Sequence, residues 1–309
     1  MNGIINLLKP PGMTSNDAVV WLRKLCGTKK CGHGGTLDPA ACGVLPVLVG
    51  NATKLFDLML MHEKQYTATV RFGLTTDTLD AEGQVTAQDD RYPDPAKWEE
   101  ALAAYTGVIR QIPPLYSAIR IGGVHAYKLA RKGVQAQVPE REVNILSLET
   151  LSWRDERTVT IRIVCSSGTY IRTLISDLAG ECGCYAYLAQ LTRERSGMFD
   201  IRDAVTVEEL LRASEEGRIA DLAVPLDQVL ADYPVLTVKE AERTHAVNGA
   251  PLDRNAFMEE YEDDRMYRIK TGENELISLS KTGGDGRIRP QIMLFSGSIQ
   301  ARKTEGGKR

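Results

Sequence analysis

Gly32-His33-Gly34-Gly35-Thr36-Leu37-Asp38-Pro39 is the stretch from which the rest of the chain is read. It sets one carboxylate, Asp38, in a loop of small residues directly before a proline. Glycine fills three of the four positions from 32 to 35, which lets the backbone turn and lets another molecule come close. Pro39 biases Asp38 toward an extended conformation and removes one backbone donor. A plain turn would use the same residue types. A carboxylate fixed in so open a loop suits chemistry better than packing, and the flanking sequence decides between the two.

Outward from this loop, strands and helices follow one another in irregular order. Gly3 to Leu8 reads as a strand, and Ser15-Asn16-Asp17 offers cap oxygens for a helix through Leu25 that stops at Gly27. Lys64 to Thr75 alternates, with Tyr66, Ala68, Val70 and Phe72 on one face. Asp94-Pro95 opens a helix that Gly107 ends. Val159, Ile161, Ile163 and Cys165 alternate as a strand, Ile171 to Leu178 follows helical spacing, and Thr206-Val207-Glu208-Glu209 is a capping box. After Asp232 the segments become short and strand-like, notably Met266–Lys270, 276–279 and 288–295. The expected fold class is α+β. The expected division is a catalytic domain over 1–231 with an insertion at about 110–141, a small β domain over 232–302, and a disordered tail over 303–309.

The 309 residues are 43% hydrophobic and 26% charged, enough for one large core and a small one. The N-terminal apolar run ends at Lys9-Pro10-Pro11, unlike a signal peptide. No uncharged stretch is long enough to span a bilayer, so a cytoplasmic protein is expected. Cys26, Cys31, His33 and Cys42 are irregularly spaced and no C-x-x-C pair occurs, so no metal site and reduced thiols are expected. Asp77 and Asp80 suggest calcium, but Leu79 and Gln88 break the EF-hand pattern. The formal net charge of -3 hides a basic stretch, with Arg120, Lys128, Arg131 and Lys132 between 119 and 138 and no acid among them. It also hides an acidic run, Glu259-Glu260-Tyr261-Glu262-Asp263-Asp264. A local basic face is what phosphate binding requires.

Several motifs then stand in order. Gly32 to Pro39, continuing through Cys42-Gly43-Val44-Leu45-Pro46 and Gly50-Asn51-Ala52-Thr53-Lys54, resembles the catalytic loop of the TruB family of tRNA pseudouridine synthases. Leu8-Lys9-Pro10-Pro11-Gly12-Met13-Thr14-Ser15 is similar to that family's N-terminal motif, and Lys64-Gln65-Tyr66 to its tyrosine strand. Pro114 to Ala118 with Ala126 to Arg131 resembles its RNA-gripping insertion. Ser167-Gly168-Thr169-Tyr170-Ile171-Arg172 resembles its arginine motif, and Leu188 to Arg193 its following leucine strand. The C-terminal segment is loosely similar to a PUA-type RNA-binding domain.

The resemblance implies isomerisation of uridine to pseudouridine in the T-arm of tRNA, at the uridine numbered 55. The N1–C1′ bond breaks, the base rotates and C5 joins C1′; no atom is gained or lost, so no cofactor is implied. Asp38 would be the catalytic carboxylate, acting at C1′ or at C6 of the base on a nucleotide taken out of its stack. Arg172 would pair with Asp38 and favour its charged form. Tyr66 would stack on the target base, Tyr170 and Leu191 would line the uracil pocket, and His33 would contact the RNA. Lys9 and Pro10 would support Tyr66. Arg120, Lys128, Arg131 and Lys132 would grip the RNA backbone. The implied partner is tRNA, met by a monomer that needs neither a membrane nor a guide RNA. Two rivals are a guide-RNA-dependent catalytic subunit and a non-catalytic RNA-binding protein on the same scaffold.

Overall fold

A computed structural model describes residues 1–117, 119–130, 132, 134 and 137–295. The tail expected over 303–309 and Arg131 of the expected RNA grip lie outside the described residues. The chain forms two compact units. Among the described residues, one comprises Ile5–Val47 and Phe56–Leu222; the other comprises Met1–Ile4, Leu48–Leu55 and 223–295.

The first unit is built on a mixed sheet. Its main strands are β1 (Gly3–Lys9), β2 (Cys42–Val49), β3 (Lys64–Phe72), β4 (Gly107–Gln111), β5 (Arg141–Asp155), β6 (Thr158–Cys165) and β7 (Ala186–Ser196). They lie in the order β1-β2-β7-β3-β6-β5-β4. β3 pairs antiparallel with both β6 and β7, so the alternating faces of three strands coincide: Tyr66 is level with Ile163 and Arg193, and Ala68 with Ile161 and Leu191. Val70, Ile161, Ile163 and Leu188 on that face are buried. Strand β2 was hidden in the sequence by Pro46; its run is buried almost throughout, as befits a central strand without alternation. The strand expected over 64–75 breaks at Gly73, whose φ of 104° no side-chain-bearing residue adopts easily.

Helices α1 (Ser15–Leu25), α2 (Pro95–Ala104) and α3 (Ile171–Glu181) fall where their caps and spacing place them. The cap of α1 is Thr14, in a reciprocal capping box with Asp17, one residue before the expected Ser15. Ser15 is thereby released for another task. Its hydroxyl accepts from the Leu37 N–H at 2.8 Å and donates to the Leu37 carbonyl at 3.0 Å, which pins the loop one residue before Asp38. In α2, Trp98 is fully buried and meets Phe72 edge-on, with ring centroids 5.3 Å apart. The insertion carries a two-residue hairpin, Arg120–Ile121 with Val124–His125, followed by the short helix Ala126–Ala130.

The second unit holds a four-stranded sheet, β8 (Val235–Thr237), β9 (Met266–Lys270), β10 (Leu276–Thr282) and β11 (Ile288–Met293), in that order. Leu236, Phe257, Tyr261, Ile269 and Ile277 form its core. Residues 48–55 belong to this unit: Asn51 Nδ2 donates to the Leu294 carbonyl and Lys54 Nζ to the Met293 carbonyl. Asn51 and Lys54 are therefore structural ties rather than part of the Asp38 loop. Among the described residues, no helix is long and apolar enough to cross a membrane.

Gly43 fixes the approach of β2 to β7. Its φ is 106°, and a Cβ there would stand 2.2 Å from the Arg193 carbonyl oxygen, a backbone atom that cannot swing away. We expect Gly43→Ala to cost on the order of 3 kcal/mol. Equilibrium urea unfolding checks this, and an unchanged midpoint would contradict it.

Candidate active site

The Asp38 loop, the start of β3, β7 and the first turn of α3 surround a cavity of about 440 Å³, within the usual size of a ligand pocket. Asp38, Tyr66, Tyr170, Arg172 and Leu191 all line it, although they are scattered over more than 150 positions of sequence. His33 does not line it; its ring is half-buried, and Nδ1 is buried without a partner among the described residues.

Arg172 is the centre of the site. Its Nε lies 2.9 Å from Asp38 Oδ2. Nη1 donates to the Thr78 carbonyl at 2.9 Å and lies 3.6 Å from Asp80 Oδ2, and Nη2 donates to the Tyr116 carbonyl at 2.9 Å. The guanidinium is only 5% exposed, whereas the Asp38 side chain is 38% exposed and opens into the cavity. Asp80 is held in turn by Thr78 Oγ1 at 2.6 Å and the Glu82 N–H at 3.0 Å, in a turn where Leu79 takes a left-handed φ of 64°. Asp80, weighed in the sequence as a calcium ligand, is thus a second carboxylate for Arg172.

The charge balance of Asp38 differs from the expectation. The protein around it strips away water and raises its carboxyl above the ordinary range; Asp80 pushes the same way, while Arg172 and Lys9 oppose. Arg172 does favour the ionised form, but loss of water outweighs it.

The floor of the cavity is cationic. Arg193 is 1% exposed, and its donors go to the carbonyls of Val44, Thr36 and Gly35. Lys64, also buried, donates to the carbonyls of Leu60 and His62. No carboxylate pairs with either among the described residues. Burial, with the charge of Arg193 acting in the same direction, pushes the Lys64 ammonium down to about 8. Lys9 serves the loop rather than Tyr66: its ammonium donates to the carbonyls of Pro10, Met13 and Pro39. Burial pushes the Tyr66 phenol up to about 12, so it keeps its proton near neutral pH and presents a neutral ring. Burial, with the charge of Arg193 acting in the same direction, lowers the His33 imidazole below its ordinary value.

Comparison with known proteins identifies the family. Residues 23–171 match the model of the TruB family pseudouridylate synthase N-terminal domain, and residues 172–232 that of the tRNA pseudouridylate synthase B C-terminal domain. The chain belongs to the TruB family. Curated relatives include the tRNA pseudouridine synthase B of Syntrophomonas wolfei, 38% identical over 285 residues that span 91% of this chain and 93% of the relative. Another is the enzyme of the same name from Pseudomonas fluorescens, 38% identical over 302 residues, 96% of each chain. Among solved structures, a chain of a Cbf5-Nop10-Gar1 complex is 26% identical, with a TM-score of 0.71 over 95% of this chain and 85% of that one.

Within this TruB-family site, the sequence left Lys64, Asp80, Arg141 and Arg193 without a role. Two of them carried a signal. Lys64 has the same parity as Tyr66, Ala68 and Val70, so a charge stood on the inward face of a strand. Arg193 stands opposite Tyr66 in the same way. Nothing local marked Asp80 or Arg141. Of the expected RNA grip, Arg120, Lys128 and Lys132 are exposed. The six cysteines are free thiols, and no three His, Cys, Asp or Glu among the described residues are grouped to hold a metal.

A carbon-13 NMR titration of the Asp38 carboxyl should give a midpoint above the ordinary aspartate value of about 3.9. Arg172→Gln should move it higher still, because the opposing charge is gone. A midpoint below that ordinary value would contradict the burial argument.

Proposed function

We propose that this tRNA pseudouridine synthase isomerises the T-arm uridine numbered 55, with Asp38 as nucleophile on a flipped-out nucleotide. The observation that carries this is the Arg172–Asp38 pair, 2.9 Å apart at the wall of a cavity that Tyr66, Tyr170 and Leu191 also line. The chemistry needs a carboxylate aimed at the sugar or base, a flat apolar slot for uracil, and exclusion of water. Asp38 supplies the first. Tyr66 and Leu191 stand in adjacent inward positions of neighbouring strands and supply the second. The third would come from the bound base together with the cavity walls, because the Asp38 side chain by itself is 38% exposed. Attack at C1′ and addition at C6 draw on the same carboxylate. In either case the substrate's base gains electrons, and the unpaired cations Arg193 and Lys64 favour that change.

Pulling a uridine from its stack costs a few kcal/mol, which backbone contacts and stacking must offset. Arg120, Lys128 and Lys132 on the insertion are free to meet phosphates; no ion pair engages them among the described residues. The second unit differs. Between Ala223 and Phe295 it has thirteen acids against nine bases. Eight of those bases are ion-paired, including Arg254 with Asp263, Arg265 with Glu262 and Lys281 with Asp264. These pairs absorb three of the five acids in the run from Glu259 to Asp264, and Glu259 accepts from the Thr237 N–H and hydroxyl. As a PUA-like RNA-binding domain, this unit would work through shape and polar contacts. The enzyme would act in the cytoplasm as a monomer, without a guide RNA.

Tritium release from C5-labelled uridine in a naked T-arm stem-loop tests this. We expect turnover by the wild type, and none by Asp38→Asn with RNA affinity retained. Turnover by Asp38→Asn would remove the carboxylate from its role; failure of the wild type on guide-free RNA would remove the substrate. We also expect T-arm affinity to fall roughly a thousandfold between about 50 and 200 mM salt, as for about six phosphate contacts. An affinity flat with salt would contradict the basic grip.

A further inference from the structure

Arg141 begins β5, where the insertion rejoins the sheet, and pairs in register with Gln111 of β4. Its guanidinium lies over the ring of Tyr170, 4.6 Å from the centroid. With Ser167, Gly168 and Thr169 it lines the wall of the cavity that holds Asp38. Nε and Nη2 of Arg141 are buried, and neither has a hydrogen-bond partner among the described residues. No carboxylate pairs with the side chain there. The other two arginines of the cavity are fully engaged by comparison: Arg172 by two carboxylates and two carbonyls, Arg193 by three carbonyls.

Nε and Nη2 are not an arbitrary pair. They form one edge of the guanidinium, and their N–H bonds run nearly parallel. That edge fits two oxygens of a single tetrahedral or planar anion. A buried donor edge with no acceptor is costly to maintain unless a ligand supplies the acceptor. The backbone beneath it is held: Gln111 accepts from the Tyr170 N–H at 3.1 Å and donates to the Tyr170 carbonyl at 3.3 Å, which pins the main chain that carries the ring under the guanidinium. Gly168, with φ at 83°, brings backbone close to the other edge: a Cβ there would lie 3.4 Å from Nη1. The unpartnered edge is therefore held in one direction, and a ligand reaches it once the contacts that cover it part.

We propose that Arg141 is a phosphate receptor for the substrate strand, its Nε–Nη2 edge receiving the phosphodiester adjacent to the extruded uridine. This rests on RNA as the substrate, as proposed above. A phosphate suits the edge better than a base carbonyl, which offers one oxygen where the edge presents two donors. The cavity adds to the preference. Helix α3 starts at its wall with no side chain capping its first turn, and Lys64 and Arg193 leave the floor positive. Holding the phosphate here would set the sugar between that anchor and Asp38, so Arg141 positions the nucleotide and takes no part in bond making.

A cycle across the interface tests this. T-arm RNA is made with the ordinary phosphodiester, or with an uncharged methylphosphonate, on the 5′ or the 3′ side of the target uridine. Each RNA is bound to wild type, Arg141→Gln and Arg141→Lys. We expect the wild type to lose roughly 10- to 100-fold in affinity for one of the two methylphosphonates. Arg141→Gln should lose as much on unmodified RNA and no more on that methylphosphonate, because the contact is already gone. Its salt slope should be shallower by about 0.7–0.9. Arg141→Lys should stay weak, since an ammonium cannot form the edge. Losses that multiply at both positions, or a wild type indifferent to both methylphosphonates, would overturn the proposal even if Arg141→Gln failed to fold. Tritium release by the wild type on unmodified RNA separates the two readings: its absence would discard the substrate, not this contact.

Discussion

One buried guanidinium organises the candidate site of the first unit. Arg172 reaches Asp38 through Nε, the Thr78 carbonyl and Asp80 through Nη1, and the Tyr116 carbonyl through Nη2. These groups come from three loops that share no secondary structure. Each loop has its own local support: Ser15 on Leu37, Thr78 and the Glu82 N–H on Asp80, and the rigid Pro113-Pro114 before Tyr116. Removing the guanidinium would leave two carboxylates and two carbonyls facing one another where water is scarce, which is far more costly than losing a surface pair. The same residue that holds Asp38 also ties it to Tyr116, at the root of the insertion.

Around this centre the protein places more positive charge than it neutralises. Lys9, Lys64 and Arg193 are buried against carbonyl oxygens, and no carboxylate is ion-paired with them among the described residues. Carbonyl dipoles can hold a cation in place without cancelling its charge, so the field remains available to a ligand. Such an arrangement is poor for stability and good for an anion. It also explains why Asp38 can lie in a desolvated position, with its carboxyl raised, and still face a strongly favourable cation. The opposite policy holds in the second unit, where nearly every base is matched by an acid on the surface and little field is left over.

Local rules located the helices because capping and spacing are local: Asp94-Pro95, Thr206 with Glu209, and the run from Ile171 all start helices. β2 was missed because a central strand needs no alternation and tolerated Pro46, and β5 because three register shifts blur its period. At the site, the eight residues from Gly32 pointed to Asp38 through their residue types, whereas Arg172 came from the resemblance of 167–172 to the family's arginine motif. Lys64 was legible from parity but was read as part of the tyrosine motif. Asp80 and Arg141 were not legible, since their meaning lies in contacts made across 92 and 29 positions, Asp80 to Arg172 and Arg141 to Tyr170. His33 shows the converse: a conspicuous residue in the decisive motif stands outside the cavity lining.

The dependence of chemistry on the Arg172–Asp38 contact can be read from single-turnover pseudouridine formation on T-arm RNA, with Arg172→Gln compared to wild type under saturating enzyme. If the guanidinium aims the carboxylate, the rate constant should fall about 100- to 1,000-fold while RNA affinity stays within about twofold. A rate constant left intact, in a variant that still binds the RNA, would contradict the account at its centre.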